Sequence, residues 1–359
     1  MGAIRLFLAL VVATDHTRSL LMIPLHMDVP NRFELGVNAG YAVMYFYVIS
    51  GFLMGYVLKN NYPPSRAGTL NFYQARFIRI FSLYWPVMIL ALLLVPGAAI
   101  SFYHSGPLSI FVDTFLIGMD WNWAFGISAV AYLGQSWTLG AELTFYALAP
   151  FILRSRTAMW SIFALSAATR ATTVHIFGFD NVWTYGFFPA TVLFFILGAI
   201  ANDTADKIPQ MKRPIVGAVL LAAVPLLLMI PDYVYWDKPR FWLSYICFAA
   251  ALPSISAATK NSGPLNALGE LSYPLYLTHT LVIAAATYSG WTNIVATHFS
   301  ADQAAWVILT SALAAALVGA FALHVLVETR TANLMRAIIQ HCSSAIGDFR
   351  AYRFRRQEQ

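Results

Sequence analysis

Five groups of polar residues stand inside otherwise apolar stretches of this 359-residue chain. An ionisable group in such a stretch is costly unless it faces a cavity or a partner. Arg5 and His16 are eleven residues apart. That is close to three helical turns, so they project from one face about 16 Å apart along the axis. Imidazole titrates near neutral pH, which suits His16 to general-base work; the plainer alternative is a histidine satisfied by a neighbouring helix. Asp15 points about 100° away on the same helix and is no obvious partner for it. Ser50 lies in FYVISGFLMGY, 46–56. The small Gly51 there reads as a packing residue, and Ser50 as part of a cavity wall. Arg76 and Arg79 share a face in the loop FYQARFIRIFSLYWP, 72–86, and two fixed guanidinium groups suit phosphate oxygens. Their other reading is charge that orients the chain in the membrane. Glu142, in QSWTLGAELTFYALAP at 135–150, has Tyr146 one turn on and no cation on its own segment. Its partner is then His16, Arg5 or a ligand. A histidine so paired would be oriented as in a triad; alternatively the pair sets helix register. Tyr276 and His279, with Ser272 one turn earlier, form a polar stripe in LGELSYPLYLTHTLVI, 268–283. That stripe is a structural hydrogen-bond network or a site wall.

The elements that must position these groups are membrane helices. The chain is 59% hydrophobic and 11% charged, far below the charge a soluble domain carries. A spanning helix needs roughly 20 mainly apolar residues. Ten such segments are expected, at 4–24, 36–58, 82–103, 135–153, 157–176, 182–202, 214–231, 240–259, 270–290 and 304–327. The apolar stretch 107–119 is too short to span and is expected to be interfacial or re-entrant. The first span lacks a small-residue cleavage site and carries Asp15, His16 and Arg18 at its far end, which argues against a signal peptide. The predicted fold is therefore all-α, a polytopic bundle of about ten transmembrane helices. The predicted organisation is a membrane domain over 1–330 and a basic tail over 331–359.

Loop charge sets the orientation. With the N-terminus in the cytosol, 17 of the 22 Lys and Arg residues fall on the cytosolic side and 5 outside. Positive charge is retained in the cytosol during insertion, so both termini are expected there. The same split explains the net charge of +6 without nucleic acid. The tail FRAYRFRRQEQ reads as a patch for anionic lipid head groups or as a disordered topogenic tail. Cys247 and Cys342 make no disulfide framework and have no metal-ligand spacing, so no metal is expected.

The order of these segments resembles the acyltransferase-3 family of bacterial membrane acyltransferases. The resemblance lies in RLFLALVVATDH from Arg5 to His16, FYVISGFL from Phe46, RFIRI from Arg76, WTLGAELTFYALAP from Trp137 and LGELSYPLYLTH from Leu268 to His279. It implies a multi-pass protein of the bacterial inner membrane. It implies an acyl-CoA co-substrate, commonly acetyl-CoA, and no permanently bound cofactor. The implied acceptor is a hydroxyl of an envelope or secreted glycan, or a lipid-linked sugar. One departure stands out. Many members have an acidic residue six positions before the Ser50 equivalent, where this chain has Met44. The chain also resembles the stand-alone members, without an appended extracytoplasmic esterase-like domain.

Together these readings predict a site. Arg76 and Arg79 hold the donor phosphates. His16 acts as base, or less simply as an acyl carrier, with Glu142 orienting it. Arg5 holds a phosphate or stabilises developing charge. Ser50, Tyr146, Tyr276 and His279 line the site. Two alternatives remain at this level: acylation of a macrolide or another small molecule, and a proton-coupled transporter. The transporter reading lacks the internal repeats and matched broken helices expected of it.

Overall fold

The computed structural model describes residues 1–25, 39–121, 133–178, 180–228 and 239–341. The tail from 342, with Cys342, and the cations Arg32 and Lys238 lie outside them. Among the described residues the protein is helical, with no strand. In chain order the helices are α1 (Gly2–Thr17), α2 (Ala39–Asn60), α3 (Arg66–Leu94), α4 (Ala98–His104), α5 (Pro107–Phe115), α6 (Trp137–Ile152) and α7 (Arg156–Phe177). There follow α8 (Phe188–Lys207), α9 (Pro214–Leu228), α10 (Pro239–Thr259), α11 (Gly263–Glu270), α12 (Ser272–Tyr288), α13 (Trp291–His298) and α14 (Ala301–Leu323). A π-helical turn, His324–Glu328, carries α14 onward, and the helix runs on to His341 across the expected domain boundary at 330.

Each of the ten expected segments holds a helix. Five helices are long and apolar enough to cross a membrane: Ala39–Asn60, Arg66–Leu94, Phe188–Lys207, Phe241–Thr259 and Ala301–His341. α1, α6 and α12 have 16, 16 and 17 residues, a little short of the roughly 20 that a full crossing takes. These three, with α2 and α3, carry every candidate site residue.

Two expectations are corrected. The stretch 72–86 is not a loop but part of the 29-residue α3. Ser65 caps its start by accepting from the Gly68 amide at 3.1 Å, and nothing breaks the helix until the Pro96–Gly97 turn. Pro86, the one breaker inside, is accommodated. The third span is thereby moved toward the N-terminus from 82–103. The short stretch 107–119 becomes α5 and the turn after it, docked on the far half of α3. Tyr84 donates its hydroxyl to the Asp113 carbonyl at 2.5 Å, and Trp85 its indole N–H to the Thr114 carbonyl at 2.8 Å.

The bundle is centred on the crossing of α2 and α8. A Cβ at Gly51 would lie 1.7 Å from the Phe195 carbonyl oxygen, and one at Gly198 would lie 1.9 Å from that of Val48. Only glycine permits that approach. It lets Tyr47 stack on Phe195 at 4.2 Å and Phe145 on the same ring at 4.3 Å, which ties α2, α6 and α8 together. α1 lies against α2, α12 and α14.

Gly198→Val is expected to lower the melting temperature in detergent, since overpacking costs about 1–3 kcal/mol where the backbone cannot yield; an unchanged melting temperature would show that α2 and α8 are not in contact here. Asp120, buried in the turn after α5, has its carboxyl pushed up to about 6 by burial. A raised carboxyl favours the protonated folded form, so stability is full below the ordinary carboxylate range and falls as pH rises through about 6. Asp120→Asn should therefore raise the melting temperature more at pH 8 than at pH 5, and an equal effect at both values counts against this burial.

Candidate active site

A cavity of about 170 Å³ opens between α1, α2, α3, α6 and α12. Arg5, Ser50, Arg76, Arg79, Glu142, Tyr146 and Tyr276 line it. His16 and His279, the other two residues expected at the site, do not. Apolar side chains make most of the wall, Val43, Phe46, Leu53 and Ile80 among them.

Glu142 is held by two hydroxyls. Ser50 donates to its Oε1 at 2.9 Å, and Tyr146 donates to the same oxygen through a short bond. The i,i+4 spacing on α6 brings Tyr146 there, and the α2–α6 packing brings Ser50. Glu142 therefore does not orient His16 by direct contact, contrary to the expectation. Its partners are hydroxyls because α1 presents His16 three turns beyond Arg5, at another level of the bundle.

The two arginines of α3 differ. Arg79 bonds Glu328 Oε1 at 2.9 Å, and Glu328 also takes His324 Nδ1 at 2.8 Å. The Arg79 charge is thus already matched by a carboxylate. Arg76 has none. Its guanidinium lies 5.8 Å from the Phe72 ring centre and 5.7 Å from that of Tyr146, within cation–π range. Its Nε is buried without a hydrogen-bond partner. The two arginines expected as a pair thus differ, and Arg76 is one cavity-lining cation with no carboxylate partner among the described residues. Arg5, from α1, is the second; the charges around it are Arg79, Glu142 and Glu328.

His16 and His279 form a pair of their own. His16 Nδ1 lies 2.9 Å from His279 Nε2, while His279 Nδ1 lies 3.2 Å from the Leu275 carbonyl. A carbonyl only accepts, so His279 Nδ1 carries the hydrogen and its Nε2 is an acceptor. His16 Nδ1 must then donate, which leaves a lone pair on His16 Nε2; the hydrogens are assigned from these partners. His279 is buried and His16 half-buried, so only the latter is reachable. Between the pair and the cavity stands the Tyr276 ring, 5.9 Å from His279 and 6.2 Å from Phe46. Thr138 shares a hydrogen bond with the Tyr276 hydroxyl at 2.7 Å. Gln135 bonds the carbonyls of Tyr276 and Leu277 and the Thr280 hydroxyl through its amide nitrogen.

Sequence reasoning missed Glu328, His324, Gln135 and Thr138. His324 and Glu328 carried a usable signal, an i,i+4 acid–base pair at the end of an apolar run. Gln135 and Thr138 lay inside a segment already singled out but have no spacing of their own. Among the described residues, no group of three His, Cys, Asp or Glu side chains gathers as a metal site.

A family model described as an acyltransferase domain matches residues 1–325. No curated protein and no solved structure matches the chain.

The histidine pair makes a prediction for acyl transfer. His279→Leu removes the acceptor that fixes the His16 tautomer, and the turnover number is expected to fall by about 10²–10⁴, the range of general acid–base catalysis. The KM for the donor should stay unchanged, and His279→Gln, which keeps an acceptor, should recover part of the rate. Parental turnover by His279→Leu would exclude a positioning role.

Proposed function

The chain belongs to the acyltransferase-3 family, and from that premise we propose that it carries an acyl group, acetyl first among them, from acyl-CoA to a hydroxyl of an envelope or secreted glycan. It is a membrane acyltransferase, and five of its helices suffice in length and apolar character to span. Our reading of its topology is ten spans in the bacterial inner membrane, both termini cytosolic, supported by the 17-to-5 division of Lys and Arg. The domain over 1–330 does the chemistry, and the basic tail over 331–359 meets anionic lipid.

The observation that carries the reading is the cavity. Helices far apart in sequence bring Arg5 and Arg76 to a slot whose other lining is apolar and hydroxyl-bearing groups, Glu142 and the ion-paired Arg79. Such a slot suits a ligand with an anionic head and a slender, mostly apolar arm. On this reading the donor enters from the cytosolic side, its diphosphate meets Arg5 and Arg76, and its pantetheine arm follows the seam past Glu142 to Tyr276. Arg5 lies about 16 Å along α1 from His16, so it serves the phosphate end and not the reacting carbonyl.

The transfer step uses His16. Its Nε2 takes the proton of the acceptor hydroxyl as the hydroxyl oxygen attacks the thioester carbon. The tetrahedral oxyanion collapses, the carbon–sulfur bond breaks, and the coenzyme A thiolate leaves and takes the proton back from the imidazolium. Tyr276 lines the end of the cavity nearest the histidines, with its hydroxyl hydrogen given to Thr138 Oγ1, which itself donates to the Gln135 carbonyl.

Membranes containing the protein, given radiolabelled acetyl-CoA, are expected to release coenzyme A and to label a glycan fraction. His16→Ala should abolish both while leaving the protein folded. Label confined to an extractable small molecule would move the acceptor to that class, and no coenzyme A release with any acceptor would overturn acyl-CoA transfer.

A further inference from the structure

A second cavity, of about 360 Å³, lies where α2, the α6–α7 turn and α8 end together. Leu58, Lys59, Arg154, Arg156, Asn202 and Asp203 form part of its wall. It continues the seam of the first cavity. On α2, Met54 lines the first and Leu58 the second; on α6, Tyr146 lines the first and Leu153, the next residue after the helix, the second. These positions recur at helical spacing on one face. The partition is aromatic. The fully buried Phe72 ring lies 6.4 Å from Tyr146 and 5.5 Å from Tyr62, just before the Pro63–Pro64 bend at the second cavity's rim.

The charge of this cavity is in excess. Asp206 is shared by Lys59 at 2.6 Å and Lys212 at 3.1 Å. Asp203 is shared by Arg156 at 3.1 Å and Lys207 at 3.0 Å. Arg154 adds a fifth cation whose hydrogen-bond partners are all neutral: Thr69 Oγ1 at 2.9 Å, the Pro63 carbonyl at 3.1 Å and that of Tyr62 at 3.2 Å. Of these cations only Lys59, Arg154 and Arg156 line the cavity, against Asp203 in its wall and the Lys59 partner Asp206, which leaves one positive charge. In the first cavity Arg5, Arg76 and Arg79 face Glu142 and the Arg79 partner Glu328, which leaves one.

Coenzyme A carries a diphosphate and a ribose phosphomonoester, about four negative charges at neutral pH when the monoester approaches −2. The first cavity alone falls short of that. We propose that the second cavity seats the ribose phosphomonoester at the nucleotide end of the acyl donor, with Arg154 as its oriented phosphate ligand and Lys59 beside it. The inference rests on the acyl-CoA reading above. Charge that merely orients the chain during insertion needs no cavity, whereas a guanidinium fixed at a cavity wall without a carboxylate partner suits a phosphate.

The test is equilibrium binding, which does not depend on turnover. The probe is 3′-phosphoadenosine 5′-diphosphate, the nucleotide portion of the donor, with the full-length protein in nanodiscs of zwitterionic lipid. Arg154→Gln and, separately, Lys59→Gln should each weaken binding ten-fold or more. Arg154→Lys, which keeps the charge but not the planar fork, should recover only part of it. Equal affinity in wild type and both glutamine variants overturns the proposal. So does an Arg154→Lys variant as weak as Arg154→Gln when Lys59→Gln binds normally, since Arg154 would then only staple the turn. A wild-type protein that ignores the nucleotide but gains thermal stability from phosphatidylglycerol, through Arg154, would assign the cavity to a lipid head group and also overturn it. Failure of acyl transfer itself would show elsewhere, as absent coenzyme A release.

Discussion

A carboxylate inside a helical bundle has to be held, and the way Glu142 is held organises the rest of the site. Removing an ion from water costs several kcal/mol unless neighbours replace the lost hydration. Ser50 and Tyr146 supply two hydroxyl donors to one oxygen, and Arg5 supplies opposite charge nearby. Those three come from α2, α6 and α1. Holding one carboxylate thus fixes the relative height of three helices, and the space left between them is the cavity. Its polar floor follows from that constraint, while its apolar walls follow from the composition of the helices.

The remaining charges obey the same rule in different ways. Arg79 is matched by Glu328, which His324 also grips, so the end of α14 is locked to α3 at the cavity wall. The π turn at His324–Glu328 places both side chains there; such turns gather at functional positions in helices. Arg76 instead rests on aromatic faces. The histidine pair needs no charge at all, because each neutral ring satisfies the other through one hydrogen. Separation of the charged cavity from the neutral pair by the Tyr276 ring gives the site two compartments of distinct chemical character.

Both compartments depend on close backbone packing elsewhere. The Gly51–Gly198 crossing brings α2 against α8 and so sets where Tyr47 and Ser50 stand. Gly2 meets Gly269 in the same manner, and that contact seats the start of α1, with Arg5, beside the segment leading into Tyr273 and Tyr276. Small residues at these crossings set the distance between the groups that line the cavity. Apolar attraction does little of this work in lipid, where van der Waals contact and hydrogen bonding must supply it.

Much of the site was legible in the residues themselves. Periodicity placed Glu142 with Tyr146, Arg76 with Arg79 and Tyr276 with His279 on common faces, because a helix repeats at a fixed spacing. Composition and the length of apolar runs determined a helical membrane protein, since only satisfied backbones survive in hydrocarbon. Pairings between helices were not legible. Glu142, expected beside His16, Arg5 or a ligand, meets Ser50 and Tyr146; the two arginines share a face, and of them only Arg79 has a carboxylate partner among the described residues; His279, expected to line the site, is the partner of His16. Each depends on how two helices are rotated and slid against each other, and that is decided by glycine contacts, aromatic stacking and shared hydrogen bonds distant in the chain. The sequence by itself determined which chemical groups this protein carries into the membrane and at what height on each helix. Only the tertiary structure decided which of them touch, because a helix period fixes neighbours along one helix and says nothing about those across the bundle.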